Sequence, residues 1–135
     1  MAIFASLGKY KNTGLLIIRI SLGILFMLHG YPKLLGGPEK WEAIGGSMKN
    51  VGITFVPVFW GLMAALTETF GAFLFLLGLA FRPVCLLLVF TMTIAAILHL
   101  SKGDGVSGAS HAIEAGVVFL GLTLVGPGKY SVDKK

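Results

Sequence analysis

The sequence predicts an all-α fold, an integral membrane four-helix bundle with both termini in the cytoplasm, and two observations support this class. Of the 135 residues, 56% are hydrophobic and only 13% are charged, whereas soluble domains average about 25% charged residues. Breaks rich in Pro and Gly also divide the chain into four apolar runs, each long enough to cross a bilayer as a helix. The spans expected within a single domain, residues 1–135, are about 14–31, 56–81, 83–100 and 109–125.

The first span is expected to organise the others, because it carries ionisable side chains. Charges in hydrocarbon are rare unless they have a partner, a water-filled pocket or a function. At about 100° per residue, an arc of roughly 120° collects its small, aromatic and ionisable residues: Arg19, Gly23, Phe26, His29, Gly30 and Lys33. The opposite face is aliphatic, so the polar face is the one that the other helices must cover.

Residues 38–55 follow the first span and form the first outer loop. Pro38 suits the first position of a helix, and Trp41, Ile44, Met48 and Val51 then recur at steps of three and four residues with charged residues between them. This pattern predicts a short amphipathic helix lying at the membrane interface. The pair Gly45-Gly46 weakens the pattern, and an irregular loop is the alternative.

The remaining spans carry further ionisable groups. Glu68 lies near the middle of the second span, on the same side as five small residues, Gly61, Ala64, Ala65, Gly71 and Ala72. Small residues allow a neighbouring helix to approach closely, so Glu68 is expected to face protein. Arg82-Pro83 is interpreted as a very short connection to the third span, which ends with His99, and the fourth span carries His111 and Glu114.

The basic residues indicate topology. The formal net charge is +5, but Lys and Arg are scattered at the ends of apolar runs rather than gathered in a stripe, which excludes a nucleic-acid-binding surface. Four spans place both termini on one side of the membrane. That side collects six basic residues and the opposite loops collect four, so the positive-inside rule predicts cytoplasmic termini.

Cys85 is the single cysteine and lies inside an apolar run. The chain therefore has no internal disulfide, and thiol redox chemistry would need a sulfur from a partner or substrate. Cys85 itself is expected to be a packing residue.

The ionisable groups are expected to share one depth. Counted at about 1.5 Å per residue from the cytoplasmic end of each span, five of them fall at about 17–25 Å, in the outer half: His29, Glu68, His99, His111 and Glu114. Glu68 and His29 are the two strongest candidates, because both are too deep to reach water easily, and Glu114 comes next. Arg19 is only about 7 Å from the inner end, so its side chain is expected to snorkel to the cytoplasmic surface.

Four kinds of site are compatible with this layer. Three histidines and two carboxylates suit zinc or non-haem iron. His29 and His99 alone suit the axial positions of a haem. Alternatively, the histidines bind a quinone headgroup as acid–base groups while the carboxylates relay protons. The fourth interpretation is a hydrogen-bonded core that fixes helix register, with His99 and His111 lying near the membrane surface.

Three separated motifs resemble those of the DoxX family of membrane proteins. The first runs from Arg19 to Lys33, the second from Glu68 to Arg82, and the third is the closing Gly126-Pro-Gly-Lys-Tyr-Ser-Val-Asp133; Glu114 also matches an acidic position of the fourth helix. The resemblance implies a four-helix protein of the bacterial cytoplasmic membrane with a link to redox chemistry. Relatives include subunits of a thiosulfate:quinone oxidoreductase, and others are tied to thiol and oxidative-stress partners.

These observations lead to one main expectation about function. The chain is expected to be a membrane subunit of a quinone-linked redox system, with Glu68 and Glu114 relaying protons, His29 binding quinone or a metal, and Arg19 anchoring the inner face. The wider cofactor-binding set is His29, Glu68, His99, His111 and Arg19. Expected partners are the lipid bilayer and either a protein subunit or further copies of the chain. The alternatives are a non-catalytic anchor or assembly partner for a soluble oxidoreductase, and a small-molecule carrier, which would need oligomerisation.

Overall fold

The computed structural model describes residues 3–135, and this range contains helices and no β-strand. The α-helices are α1 (Lys11–Leu35), α2 (Gly37–Gly45), α3 (Pro57–Leu66), α4 (Ala72–Leu77), α5 (Phe81–Ser101) and α6 (Gly105–Val125). A π-helical turn, Thr67–Gly71, joins α3 to α4 into one continuous rod, and 3₁₀-helices cover Ala5–Tyr10 and Gly46–Val51.

Four helical segments of the described chain are long and apolar enough to cross a membrane, which confirms the predicted fold class. They are Ala5–Leu35, Pro57–Leu77, Phe81–Ser101 and Gly105–Val125. Each of the last three has 21 residues, and at about 1.5 Å per residue that length matches a hydrocarbon core of about 30 Å. The first helix continues past the predicted break, with Pro32 inside it, and the fourth begins earlier than expected.

The connection between the second and third spans differs from the prediction. The chain turns at Gly78 and Ala80, whose φ angles are 69° and 50°, and not at Arg82-Pro83. Both of those residues lie in the first turn of α5. A proline is tolerated there because the backbone N–H that it lacks would have no partner within the helix.

The predicted helix faces are confirmed for most of their residues. In α1 the buried residues are Arg19, Gly23, Phe26 and Gly30, while Ile17, Ile20, Ile24 and Leu28 of the aliphatic face are exposed. The small residues that share a side with Glu68 are buried or half-buried against their neighbours. At Gly23 and Gly30, a Cβ would approach the backbone of the second span within 3.3 Å, so these glycines allow α1 to pack against it.

Three of the four helix-to-helix edges of the bundle are closely packed. α1 lies against the second span, which lies against α5, and α5 pairs along its length with α6. The backbones of α1 and α6 have no comparable contact within the described residues. These two helices meet instead through aromatic rings, such as Phe26 and Phe119, whose centroids are 5.0 Å apart. The α1–α6 edge is therefore the loosest side of the bundle.

The loop after α1 does contain a helix, α2, although its position at the membrane interface stays a prediction. Gly45 of α2 and Gly61 of α3 are in backbone contact, and a Cβ on either would overlap the carbonyl of Pro57 or Trp41. Gly45 therefore has a packing role. From the sequence pattern alone, this glycine indicated only a weaker helix. The indole Nε1 of Trp41 also donates a hydrogen bond of 3.1 Å to the carbonyl of Lys33.

Arg19 does not snorkel to the surface, so that expectation was wrong. It is 3% exposed, and its guanidinium donates hydrogen bonds of 2.9–3.2 Å to the carbonyl oxygens of Leu76, Pro127 and Tyr130. Carbonyls at the end of α4 and in the C-terminal tail would otherwise lack partners, and a planar guanidinium can satisfy three of them at once.

The C-terminal tail completes this end of the bundle. The carboxylate of Asp133 accepts hydrogen bonds from the backbone N–H groups of Ala80 and Phe81, at 3.1 and 2.8 Å, and so caps the start of α5. Asn12 at the start of α1 accepts one from Lys129 N–H at 3.0 Å. Both ends of the described chain therefore lie at the same end of the bundle, as an even number of spans requires.

Replacement of Arg19 by Lys should release the tail. A lysine has one compact donor group and cannot bond all three carbonyls, so we expect a loss of about 3 kcal/mol in the free energy of unfolding. Circular dichroism during denaturation in detergent micelles measures this loss, and trypsin cleavage after Lys129 reports release of the tail. Lys11→Ala, an exposed site at the same end, is the control and should change stability by less than about 0.5 kcal/mol. Equal behaviour of the two variants would contradict the role given to Arg19.

The cytoplasmic location of the termini is tested by labelling introduced cysteines with a membrane-impermeant maleimide. Lys102 and Lys135 are both exposed, at opposite ends of the bundle, while the native Cys85 is buried. We expect Lys102→Cys to react in cells whose inner membrane is intact, and Lys135→Cys to react only after that membrane is permeabilised. The reverse pattern would invert the topology.

Candidate functional site

A buried ion pair joins α1 to the second span. The ammonium of Lys33 lies 2.7 Å from a carboxylate oxygen of Glu68, whose side chain is 5% exposed, whereas that of Lys33 is 34% exposed. Glu68 and His29 are the two site residues that the sequence favoured most, and in the structure Glu68 contacts Lys33 while His29 neighbours His111. Lys33 lies one turn beyond His29 on α1 and is long enough to reach the carboxylate, so it neutralises the only buried acid described.

The π-helical turn determines where Glu68 points. Its five residues, Thr67–Gly71, contain Glu68, and such turns within α-helices occur frequently at functional sites. Gly30 of α1 packs directly on this turn, because a Cβ there would lie 2.6 Å from the Glu68 carbonyl carbon. The Thr69 hydroxyl donates to the Ala65 carbonyl at 2.7 Å. The acid is thus held on a backbone that α1 contacts closely.

Two histidines meet on the loose edge of the bundle. The rings of His29 in α1 and His111 in α6 have centroids 5.7 Å apart, and both residues are exposed at the protein surface. Phe26 lies beneath them, with its ring nearly parallel to that of His111 at 6.4 Å and edge-on to that of His29 at 6.2 Å. Both imidazoles therefore lie on the outside of the bundle and not in a closed core.

We use the term α1–α6 seam for Phe26, His29, Lys33, His111 and Phe119. The seam combines aromatic walls, two imidazoles that can donate or accept hydrogen bonds, and a Lys–Glu pair behind them. It is open laterally, because the backbones of α1 and α6 stand apart. Such a surface can bind a flat, apolar molecule with polar oxygens and exchange protons with it.

His99 is not part of this seam. Its Nδ1 lies 2.9 Å from a carboxylate oxygen of Asp104, in the connection between α5 and α6. Both side chains are more than a third exposed. The interpretation of His99 as a residue near the membrane surface agrees with this contact, whereas its place in a common layer with Glu68 does not.

Glu114 is exposed in a single copy of the chain. The ion pairs of residues 3–135 are Lys33–Glu68 and His99–Asp104, so Glu114 has no ionic partner within this range. Its predicted role in proton relay inside one bundle therefore lacks the contact with Glu68 or His29 that it would require.

Metal and haem sites are not assembled within residues 3–135. No group of three or more His, Cys, Asp or Glu side chains in this range is arranged to hold a metal ion. The two histidines considered for haem, His29 and His99, have different neighbours, His111 and Asp104 respectively. The expected set of three histidines is therefore not brought together within these residues, and the zinc, iron and haem interpretations stay predictions.

One cavity lies away from the layer in which the outer pocket was predicted. About 400 Å³ of space lies at the end of the bundle that holds the tail, bordered by Arg19, Leu76 and Tyr130 among others. Because the Arg19 guanidinium is engaged by carbonyls, this cavity offers little free polar chemistry. Arg19 is accordingly a structural residue here, and a cofactor contact at this position has no support from its hydrogen bonds.

Sequence reasoning missed Lys33 as the partner of Glu68. Lys33 had been placed on the ionisable face of the first span and also among the outer-loop charges that determine topology. The sequence did contain a signal for this contact. Lys33 lies four residues after His29 on the same face of the first span, and this face packs against the second span, where small residues surround Glu68. A buried acid facing such a helix needs a cation, and Lys33 is the nearest one that the helical period offers.

Comparison with known proteins agrees with this architecture. The profile of the DoxX family matches residues 14–100. The chain is 31% identical to "Inner membrane protein YqjF" of Escherichia coli strain K12, over 93% of this chain and 94% of that protein. It is 30% identical to "Inner membrane protein YphA" of the same organism, over 95% and 94%. No solved structure matches significantly. With its four spanning helices, the chain belongs to the DoxX family and is a multi-pass protein of the bacterial inner membrane.

Proposed function

We propose that this protein is the membrane subunit of a quinone-linked redox system, and that the α1–α6 seam binds the quinone headgroup. The observation that carries the proposal is the His29–His111 pair, 5.7 Å apart on the open edge of the bundle, with a buried Lys–Glu pair one turn away. Quinones dissolve in the bilayer, so a site for them must open sideways to lipid. The resemblance to subunits of a thiosulfate:quinone oxidoreductase points in the same direction.

The residues of the seam suit a quinone headgroup chemically. Phe26 and Phe119 are buried and form an apolar base beneath the imidazoles. The exposed imidazoles offer N–H groups to the carbonyl oxygens of the headgroup. A reduced partner subunit, oxidising a sulfur or thiol compound, would supply two electrons. The quinone then takes up two protons as well, so the site must deliver protons together with the electrons.

In this proposal His29 and His111 hydrogen-bond the two headgroup oxygens and donate protons to them as negative charge develops. Imidazole is the side chain best suited to give and take up protons near neutral pH. Lys33 and Glu68 form the proton reservoir behind the seam. Lys33 gives a proton to His29 and is left as a neutral amine beside the Glu68 carboxylate. It then takes up a proton from solvent through its partly exposed side chain, and the negative charge of Glu68 favours the restored ammonium.

Quinone binding is tested by His29→Phe, with His99→Phe as the matched control. Loss of one hydrogen bond from the seam should weaken binding about tenfold, the equivalent of about 1.4 kcal/mol. His99 lies outside the seam and pairs with Asp104, so the same substitution there should leave affinity unchanged.

Tryptophan fluorescence provides the measurement. Trp41 lies beside Lys33, whereas Trp60 bonds the Phe55 carbonyl, so a Trp60→Phe background reports from the neighbourhood of the seam. Short-chain benzoquinone and naphthoquinone analogues are titrated in turn, because quinones quench indole emission. Equal quenching curves for the His29 and His99 variants would reject the seam as the quinone site.

Glu68→Gln should separate binding from turnover. The amide keeps the size of the side chain but cannot hold the charge of Lys33, so we expect quenching to change less than about threefold while quinone reduction by the intact complex falls at least about tenfold. Reduction is followed by quinone absorbance with the soluble partner present. Unchanged turnover would favour the anchor interpretation, in which helix ends and loops matter more than the buried pair.

A further inference from the structure

Glu114 presents a carboxylate to the middle of the membrane. It is the tenth of the 21 residues of α6, about 14 Å from the start of the helix, so its short side chain cannot reach either surface. At 100° per residue it lies roughly opposite Ala112 and Phe119, which are buried in the bundle. Ionised or protonated, a carboxyl group has hydrogen-bonding capacity that lipid cannot satisfy.

The same face of α6 is shaped for close approach by another helix. Ser107 and Gly121 lie seven residues before and after Glu114, and so share its face. Gly121 is exposed, and a Cβ placed on it would meet no atom within 4 Å. A single copy therefore has room for a Cβ at position 121. Because glycine has no Cβ, the backbone of a partner helix can approach closely at this position.

The complementary groups are on the same molecule. His111 lies one turn before Glu114 and to one side of it, and its ring neighbours that of His29. Imidazoles donate to carboxylates, so this surface carries both an acceptor and its donors at nearby depths. A two-fold axis along the membrane normal repeats the surface on a second copy, and self-complementary patches are what such an interface requires.

We infer that α6 forms an interface with a second copy of this chain, in which Glu114 of each copy is bonded to the His29–His111 pair of the other. A different subunit could cover the same face, but it would have to supply donors of its own, whereas the second copy already has them. The inference uses the same imidazoles as the proposed function but does not require quinone binding, since it follows from the exposed carboxylate of α6 and the exposed His29–His111 pair.

Cysteine cross-linking in native membranes tests the interface. Gly121→Cys places a thiol on the proposed contact face, and Ile17→Cys places one at a comparable depth on the lipid-facing side of α1, where Ile17 is 60% exposed. Copper phenanthroline oxidises two thiols to a disulfide only where two chains approach within about 7 Å at Cα. We expect a covalent dimer from Gly121→Cys and none above background from Ile17→Cys or from the wild type, whose Cys85 is buried.

Charge reversal tests the chemistry of the contact. Two differently tagged copies are co-expressed, and capture of one through the other is quantified after solubilisation. Glu114→Lys should reduce capture at least about tenfold by placing a cation against the histidines, whereas Glu114→Gln, which keeps the hydrogen-bonding oxygen, should retain most of it. Glu42→Lys, at an exposed acid of α2, is the charge-matched control and should leave capture unchanged.

Several outcomes would overturn the inference. They are equal cross-linking at Gly121 and Ile17, a Gly121 adduct with a different protein, and undiminished capture by a membrane-inserted Glu114→Lys variant. If Glu114→Lys fails to insert, His111→Glu places a second carboxylate against Glu114 of the other copy and carries the same expectation of reduced capture. A dimer that forms without any quinone-dependent quenching would support this inference and reject the proposed function.

Discussion

The hydrogen bonds of Arg19 determine how one end of this bundle is built. A guanidinium buried among helices must bond to protein, because hydrocarbon offers it nothing. Its acceptors are carbonyls at the end of α4 and in the tail, so a charge on α1 brings three separate parts of the chain together. The tail held in this way supplies Asp133, which caps α5. Burial of one arginine thus explains the arrangement of all the elements at this end.

The other half of the bundle follows the same rule with a different partner. Glu68 is buried in the second span, and Lys33 of α1 neutralises it across a close contact between Gly30 and the π-helical turn. α1 is therefore attached to the second span by a charged contact at each end and by glycine packing between them. No such contact attaches α1 to α6, which explains why the bundle opens on that edge.

Because the α1–α6 edge is open, polar groups that a closed core would bury are exposed there. The imidazoles of His29 and His111 are accessible from the bilayer, and the carboxylate of Glu114 lies on the adjacent face of α6. The quinone proposal and the dimer inference share the His29–His111 pair: the first gives these imidazoles the quinone headgroup, and the second gives them Glu114 of another copy together with the outward face of α6. In a dimer the two would be neighbours, since Glu114 of one copy approaches the histidines of the other.

The sequence by itself determined the fold class, the four spans and the faces that α1 and the second span bury. Those properties depend on hydrophobic run length and helical period, which are local along the chain. The tertiary structure decided which charged groups meet. Arg19 bonds carbonyls rather than reaching the surface, Glu68 pairs with Lys33 rather than His29, and His99 turns to Asp104. Depth along a helix predicts that groups share a layer, but a pair forms only where rotation, side-chain length and the space between backbones bring two atoms within about 3 Å, and those quantities depend on how all the helices pack together.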